Sequence, residues 1–401
     1  MKFSVLLPTR NRLELLKYAI ETVRRQDYDN WEIIVSDNDS EEDIASYLIS
    51  LNDERVKYYR TDGFLPVTDN WNNALEKSSG EYVIMLGDDD CLMKGYFSSL
   101  AAAIKEFDEP DFVYTKAFMY AYPGVIPEHP KGYLRLGGCA SFFRSKDKPF
   151  LLGTKEARNL GRQSMNFRLF FDYNMQFSAI SRKFILSLEY TGKFFQSPYP
   201  DYYAHNVMFL KAERILIYPL PLVTVGISPK SFGFYYHNRL EKQGAAFLKN
   251  VPDPVISKKL EDIVLPGNDI NTCWLYSMET ILSNFGKEFE FPVTYRRYRF
   301  LQFLSVLRGY YYDKSFSRED LRFIFSNIRI GEKLLYGISL KLCFMLLFSI
   351  PWALKRNIAD HIQYYLGRQY PLIDTKVSGN CFTNILEVLE KVEPTDKMSW
   401  L

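Results

Sequence analysis

Short apolar runs that each end in a cluster of polar residues constrain this chain more than any other feature. The clearest is Val83-Ile84-Met85-Leu86-Gly87-Asp88-Asp89-Asp90, four apolar residues and a glycine leading into three consecutive carboxylates. So short and apolar a run reads as a strand buried on both faces. Three adjacent aspartates repel one another, and a chain that keeps them together offers them to a cation. Oxygen-only ligands suit a hard ion such as Mg²⁺ or Mn²⁺, which bridges protein carboxylates to a diphosphate. The competing reading is a solvated turn or a helix N-terminus, where carboxylates are also favoured.

The same design recurs upstream. Phe3 to Leu7 is a strand closed by Pro8, followed by Leu13, Leu16, Ile20 and Val23 at helical spacing. Asn11 is placed as the N-cap of that helix, with Glu14 three residues later in a capping-box arrangement. Strands over Glu32–Ser36, Val56–Tyr59 and the run ending at Asp88 alternate with helices over Ile44–Leu51 and Asn70–Lys77. A helix near Tyr96–Phe107 then precedes a strand at Asp111–Thr115. Such alternation predicts an α/β fold, a mainly parallel sheet with helices on both faces. Sites in such folds gather at the carboxyl ends of the strands. The polar clusters after Leu7, Val35 and Leu86 fall there, so three loops are expected to converge on one crevice.

From about residue 117 to 172 the alternation dissolves into an aromatic, Gly/Pro-punctuated excursion, an expected acceptor-site element, before a strand resumes at Met175–Ser181. Ile215–Tyr218 and Leu222–Val225 read as two closing strands. Beyond about residue 235 the pattern is helical, which divides the chain into an α/β domain over 1–234 and a mainly α-helical part over 235–401.

The net charge of +2 hides an asymmetry: residues 1–110 carry 22 acidic against 12 basic side chains, and residues 296–356 carry 4 against 12. A basic segment of that kind implies an anionic partner. Leu342 to Leu354 is uncharged and bounded by Lys341 and by Lys355-Arg356. It is too short to span a bilayer and is interrupted by Pro351, so segment 334–356 reads either as an interfacial element on an anionic membrane surface or as a core helix. No nucleic-acid-binding module signature accompanies the charge. The five cysteines are scattered without metal-ligand spacing, as expected of reduced thiols, and Met1-Lys2 opens no secretory h-region. A cytoplasmic location is expected, peripheral on the inner face of the plasma membrane.

Four motifs in order resemble family 2 glycosyltransferases, inverting enzymes of the GT-A fold. They are Ser4-Val5-Leu6-Leu7-Pro8-Thr9-Arg10-Asn11-Arg12, Trp31 to Ser40, Asn70-Trp71-Asn72-Asn73-Ala74-Leu75, and Gly80 to Asp90. The resemblance covers roughly residues 1–230. It implies that Pro8, Thr9 and Arg10 surround a nucleotide, that Asp37 accepts from the ring N–H of a pyrimidine base, and that Asn72 lines the donor pocket. Asp88 and Asp90 would form the D-x-D pair, Asp88 nearer the ribose and both able to reach a Mn²⁺ or Mg²⁺ ion, with Asp89 beside the donor. One departure is Gly87, which stands where the family commonly has an aspartate. Asp201, in Pro198-Tyr199-Pro200-Asp201, is the implied general base, with Asp172 and Glu189 as rivals and helix capping as its structural alternative. Lys230 and Ser231 lie where relatives carry loops that close over the diphosphate, and His237 is an additional metal candidate, with His205 the other histidine near the site.

The expected activity is a metal-dependent inverting transfer from a nucleotide-sugar, UDP-sugar favoured, to a glycan or lipid-linked acceptor in polysaccharide synthesis. Two rivals differ. A sugar nucleotidyltransferase needs a glycine-rich loop after the first strand, and Pro8 to Arg12 contains no glycine. A catalytically inactive carbohydrate- or membrane-binding protein would retain the fold without releasing nucleoside diphosphate.

Overall fold

The computed structural model describes residues 1–127, 129–137, 140–143, 146–238, 240, 253–289, 294–337 and 382–395. Its strands are β1 (Phe3–Thr9), β2 (Trp31–Asp37), β3 (Val56–Arg60), β4 (Tyr82–Met85), β5 (Cys91–Leu92), β6 (Phe112–Ala121), β7 (Tyr133–Leu136), β8 (Phe150–Leu152), β9 (Ser178–Ser181) and β10 (Ile215–Ile227). They form one mixed sheet of order β3-β2-β1-β4-β9-β6-β10-β5, with β7 on β6 and β8 on β10. β1 pairs in parallel with both β2 and β4, and β6 runs parallel to β10. β9 joins the two parallel parts by pairing antiparallel with β4 and β6. Every residue of β2 and β4 is buried, as a strand covered on both faces requires. The chain winds outward from β1 to β3 and returns to β4 on the other side of β1. This reversal opens a crevice at the carboxyl ends of β1 and β4.

The helices between the strands are α1 (Leu13–Arg24), α2 (Ile44–Ser50), α3 (Val67–Glu76), α4 (Tyr96–Glu106), α5 (Thr154–Ser164), α6 (Arg182–Ser187) and α7 (Pro200–Lys211). After β10 come α8 (Phe232–His237), α9 (Pro254–Leu260), α10 (Asp269–Phe285), α11 (Arg296–Arg308), α12 (Arg318–Asn327) and α13 (Ile385–Lys391). α10 packs on α7, and α13 lies against α1 and β5. One apolar core runs from Phe3 through Phe209 to Leu275 and Tyr298, so helices from both halves of the chain cover the sheet. None of the helices among the described residues is long and apolar enough to cross a membrane.

Three local expectations are corrected. Asn11 does not cap α1. It adopts φ 52°, a conformation that asparagine tolerates, and its side chain accepts from the Glu41 N–H at 2.7 Å. Arg12 occupies the cap position, and the first turn is satisfied from outside by Glu42, which accepts from the Leu13 N–H at 2.5 Å. The excursion after residue 117 is not patternless, because β6 continues to Ala121 and folds back as a hairpin with β7, and β8 and α5 follow. The two closing strands are one strand, β10, whose register shifts between Tyr218 and Val223 absorb the proline at 221. Cys91 and Cys273 are free thiols, and the other three cysteines lie outside the described residues.

Candidate active site

β4 ends at Met85, and the next five residues turn the three carboxylates into the crevice. Gly87 permits this turn. A Cβ there would lie 2.5 Å from Asp90 Oδ2, while the Gly87 N–H donates to that same oxygen at 2.7 Å. A side chain at this position would have to displace the Asp90 carboxylate. Asp90 Oδ2 also accepts from Gln176 Nε2 at 2.7 Å, and Oδ1 accepts from the Gly226 N–H at 2.8 Å. Asp89 Oδ2 accepts from the Ser228 N–H at 3.2 Å. Asp88 accepts from Thr9 Oγ1 at 2.8 Å and from Arg12 Nη1 at 2.9 Å. The loop after β1 and the end of β10 therefore hold the triple aspartate from both sides.

The electrostatics follow from that enclosure. Burial, then the charge of Asp89, pushes Asp90 up to about 8 against the pull of its N–H donors. Burial and the charge of Asp88 likewise raise Asp89. Burial opposes charge on Arg12, but Asp88 and Asp89 beside it hold the guanidinium more firmly protonated. Arg12 Nη2 also donates to the Lys230 carbonyl, and Lys230 Nζ donates to the Asn11 carbonyl. These reciprocal bonds latch the segment after β10 onto the loop after β1.

All of this borders one cavity of about 1110 Å³. Pro8, Thr9, Arg10, Asp88, Asp89, Asp90, Asp201, Lys230 and Ser231 line it together. The Arg10 guanidinium lies 4.3 Å over the Phe64 ring, another lining residue. Asp201 stands in the first turn of α7, after Pro200 at the first helical position. The N-cap position is Tyr199 and not Asp201, whose carboxylate draws on the Met175 N–H, while Oδ1 has no hydrogen-bond partner. Burial, reinforced by the charge of Asp90, pushes Asp201 up to about 8.

Other expected residues lie elsewhere. Asn72 is buried beneath the cavity wall, where its amide exchanges hydrogen bonds with both backbone groups of Phe195, and Asn70 and Trp71 face the cavity instead. Asp37 is fully buried, accepting from Tyr58 OH at 2.7 Å and from the Ser40 N–H at 3.0 Å, and its neighbour Asn38 reaches the lining. Asp172 and Glu189 are not on the lining. His205 is buried between Tyr173 O and Ser178 Oγ, and burial lowers it to about 4, so it serves the core. The side chain of His237 lies outside the described residues.

Reading the sequence does not single out Arg12, Gln176, Asn271 or Trp274 as site residues, although all four line the cavity. Arg12 sits inside the first motif, where its charge beside an acidic loop is a usable signal. Asn271 and Trp274 belong to α10 and reach the site only through packing on α7.

Among the described residues, no group of three or more His, Cys, Asp or Glu side chains forms a metal-holding set. The chemistry of the carboxylates still fits a hard cation. Asp89 and Asp90 are neighbouring buried acids, oriented by N–H donors that fix them without neutralising them. Mg²⁺ in particular takes one or two protein carboxylates and completes its shell with phosphate oxygens and water.

Residues 4–172 match the family described as Glycosyl transferase family 2. The GalNAc(5)-diNAcBac-PP-undecaprenol beta-1,3-glucosyltransferase of Campylobacter jejuni is 41% identical over 108 residues, 26% of this chain and 35% of that protein. The putative colanic acid biosynthesis glycosyl transferase WcaA of Escherichia coli is 33% identical over 135 residues, 32% of this chain and 48% of its own length. The Escherichia coli UDP-Glc:alpha-D-GlcNAc-diphosphoundecaprenol beta-1,3-glucosyltransferase WfgD is 29% identical over 87 residues, 22% of this chain and 34% of its own. The chain thus spans a third to a half of the length of these relatives. The match to glycosyl transferase family 2 thus spans residues 4–172, the part of the chain that carries β1 to β8 and the triple aspartate.

Proposed function

We propose that this chain is an inverting glycosyltransferase that moves a sugar from a UDP-sugar to a hydroxyl of a glycan or lipid-linked acceptor in polysaccharide synthesis. The observation that carries the reading is the meeting, in one cavity, of the Asp88–Asp90 cluster, the loop after β1 and the unpartnered oxygen of Asp201. The named relatives that act on undecaprenyl-diphosphate-linked glycans, one of them with UDP-Glc, support the donor and acceptor classes.

In this reading Pro8, Thr9, Arg10 and Asn38 border the nucleotide, with Asp37 and Asn72 buried behind them. Arg12 and Lys230 stand at the cavity mouth as the cations nearest a departing diphosphate. Asp201 takes the proton from the acceptor hydroxyl as its oxygen attacks the anomeric carbon from the face opposite the leaving group. A carboxylate raised to about 8 is a stronger base than an ordinary one and is matched to a neutral working pH. Asp88 and Asp90, with Asp89 between them, are the residues that would hold Mn²⁺ or Mg²⁺. Such an ion would supply charge neutralisation for the leaving diphosphate.

The division of the chain into a catalytic part (1–234) and a helical part (235–401) belongs to the same proposal, as does attachment to an anionic membrane surface. Ile330 (78% exposed) and Leu334 (66% exposed) flank Lys333 at the end of the described helical part, a pairing that suits an interfacial segment. Residues 338–356 of the expected membrane element lie outside the described residues.

The test is Asp201→Asn in a transfer assay, with nucleotide binding read separately by thermal shift with UDP and Mn²⁺. Retained binding with transfer reduced about 10²–10⁴-fold supports the reading. Unchanged transfer refutes the base assignment. A wild-type chain that binds nucleotide and releases none from any nucleotide-sugar is a binding protein.

A further inference from the structure

We propose that the aromatic wall contributed by α10, centred on Trp274, is the subsite for the sugar ring of the acceptor. This rests on the transferase reading of the cavity and adds the identity of the group that the acceptor presents there. Trp274 lies outside the residues matched to the family. Its indole stacks on the buried Tyr202 ring at 5.1 Å with an interplanar angle of 11°, and it stands 6.4 Å from Tyr199, tilted by 61°. Trp274 and Tyr199 line the cavity together with Pro200 and Asp201. The ring is half-buried, and the stack on Tyr202 fixes it from behind.

Two polar atoms of this wall are screened from water without a hydrogen-bond partner: Trp274 Nε1 and Asp201 Oδ1. An orphaned donor and an orphaned acceptor each cost about 1–3 kcal/mol, so their coincidence at one cavity wall calls for a ligand that satisfies both. Sugar hydroxyls do so, since each both donates and accepts. The C–H face of a pyranose also packs on an indole, a surface with an apolar body and a polar edge. An acyl chain would satisfy neither atom. A phosphate dianion would accept from the indole but carries no donor for Asp201 Oδ1.

A further polar contact is already fixed in place. Asn271, one turn before Trp274, lines the cavity while its Nδ2 donates to the buried Gln302 Oε1 at 3.0 Å. Gln302 Oε1 also accepts from the Asn268 N–H at 3.0 Å, and its Nε2 donates to Leu265 O at 3.2 Å. Gln302 is a positioning residue that holds the 265–271 segment against the cavity.

Saturation-transfer NMR on the full chain tests this, with Mg²⁺, UDP and a panel of methyl hexopyranosides and methyl N-acetylhexosaminides in the same sample. Trp274→Phe keeps the stack and removes the N–H, and Trp274→Ala removes both. At least one glycoside is expected to bind wild type. Its affinity falls about 3–10-fold in Trp274→Phe and more than about 10-fold in Trp274→Ala, while the UDP signal, the internal check on folding, is unchanged. Equal glycoside affinity in wild type and both variants overturns the subsite, as does a wild-type UDP signal with no glycoside signal. Loss of the UDP signal in wild type itself overturns the transferase reading, and the subsite with it.

Discussion

Replacing Asp201 by asparagine separates the stability of this protein from its chemistry, and the separation has a pH signature. Burial raises this carboxyl from 3.8 to about 8. In the unfolded chain the proton leaves near pH 3.8, whereas the folded protein keeps it until about 8. Between those values the folded state binds more protons, so wild-type stability falls as pH rises from about 4 to 8. The full shift corresponds to an upper bound of about 6 kcal/mol, at about 1.4 kcal/mol per pH unit. Asp201 as a whole residue is only partly buried, so about 2–4 kcal/mol is expected. Asp201→Asn has no proton to lose and nearly the same shape, and so escapes that penalty. Melting curves at constant ionic strength from pH 5 to 9 should show the variant gaining on wild type by about 4–8 °C in all, with the gap level above pH 8. Wild-type kcat/KM should rise through pH 7–8 over the same interval, because the base must be unprotonated. A stability gap that does not change with pH would refute the enclosure of this carboxyl, and a rate profile that levels off near pH 5 would refute its role as base.

Three further substitutions test the framework around it. Gly226→Ala places a Cβ 1.9 Å from the Asp89 backbone oxygen, so β10 must move off the carboxylates. A loss of more than about 3 kcal/mol together with nucleotide binding is expected, and a melting temperature within 2 °C of wild type (roughly the resolution of ~1 kcal/mol) would contradict it. Gly87→Ala meets only the movable tip of Asp90. Stability should fall by about 1–2 kcal/mol and divalent-dependent UDP affinity by about 10–100-fold, readable by calorimetry with and without Mg²⁺. Glu32→Gln removes the buried carboxylate that accepts from Lys2, Lys57, Ser4 and the Ser79 N–H, an environment that holds Glu32 well below its usual range. With both lysines about a third exposed, the variant should lose about 2–3 kcal/mol at pH 7. That contribution is present above the ordinary carboxylate value and disappears as pH falls below it, so melting temperatures that already coincide at pH 7 would exclude the pairing.

The strands and helices through residue 107, the two-residue β5 apart, are legible because a two-sided parallel sheet demands uninterrupted apolar runs, and β2 and β4 supply them. The local capping at Asn11 was misleading for a reason of the same kind. Capping rules see neighbours in sequence, whereas the α1 terminus is satisfied by Glu42 from the next loop. β10 reads as two strands because prolines at 219 and 221 break the ladder pattern, and only the register with β6 shows that the strand resumes. In the site, the acidic cluster announces itself through repulsion that must be compensated. Gln176, Asn271 and Trp274 announce nothing, since an amide or an indole among 29 tyrosines and 31 phenylalanines carries no pattern until the helices are packed.

The arrangement around Asp88–Asp90 also says when the site is assembled. Like charges brought this close need donors from outside their own turn, and two of those come from the end of β10: the Gly226 and Ser228 N–H groups reach Asp90 and Asp89. The same segment offers the Lys230 carbonyl to Arg12, which in turn holds Asp88. Lys230 closes the circuit on Asn11, beside the loop expected to meet the nucleotide. Docking the β10 terminus, orienting the carboxylates and placing two cations at the cavity mouth are therefore one structural event. In the proposed transfer, a diphosphate arriving between Arg12 and Lys230 would compete for donors that now serve backbone carbonyls, which are weaker acceptors than phosphate oxygens. Binding thus exchanges bonds already aimed at the mouth, so the cost of ordering those two long side chains falls on folding and is not charged against the donor.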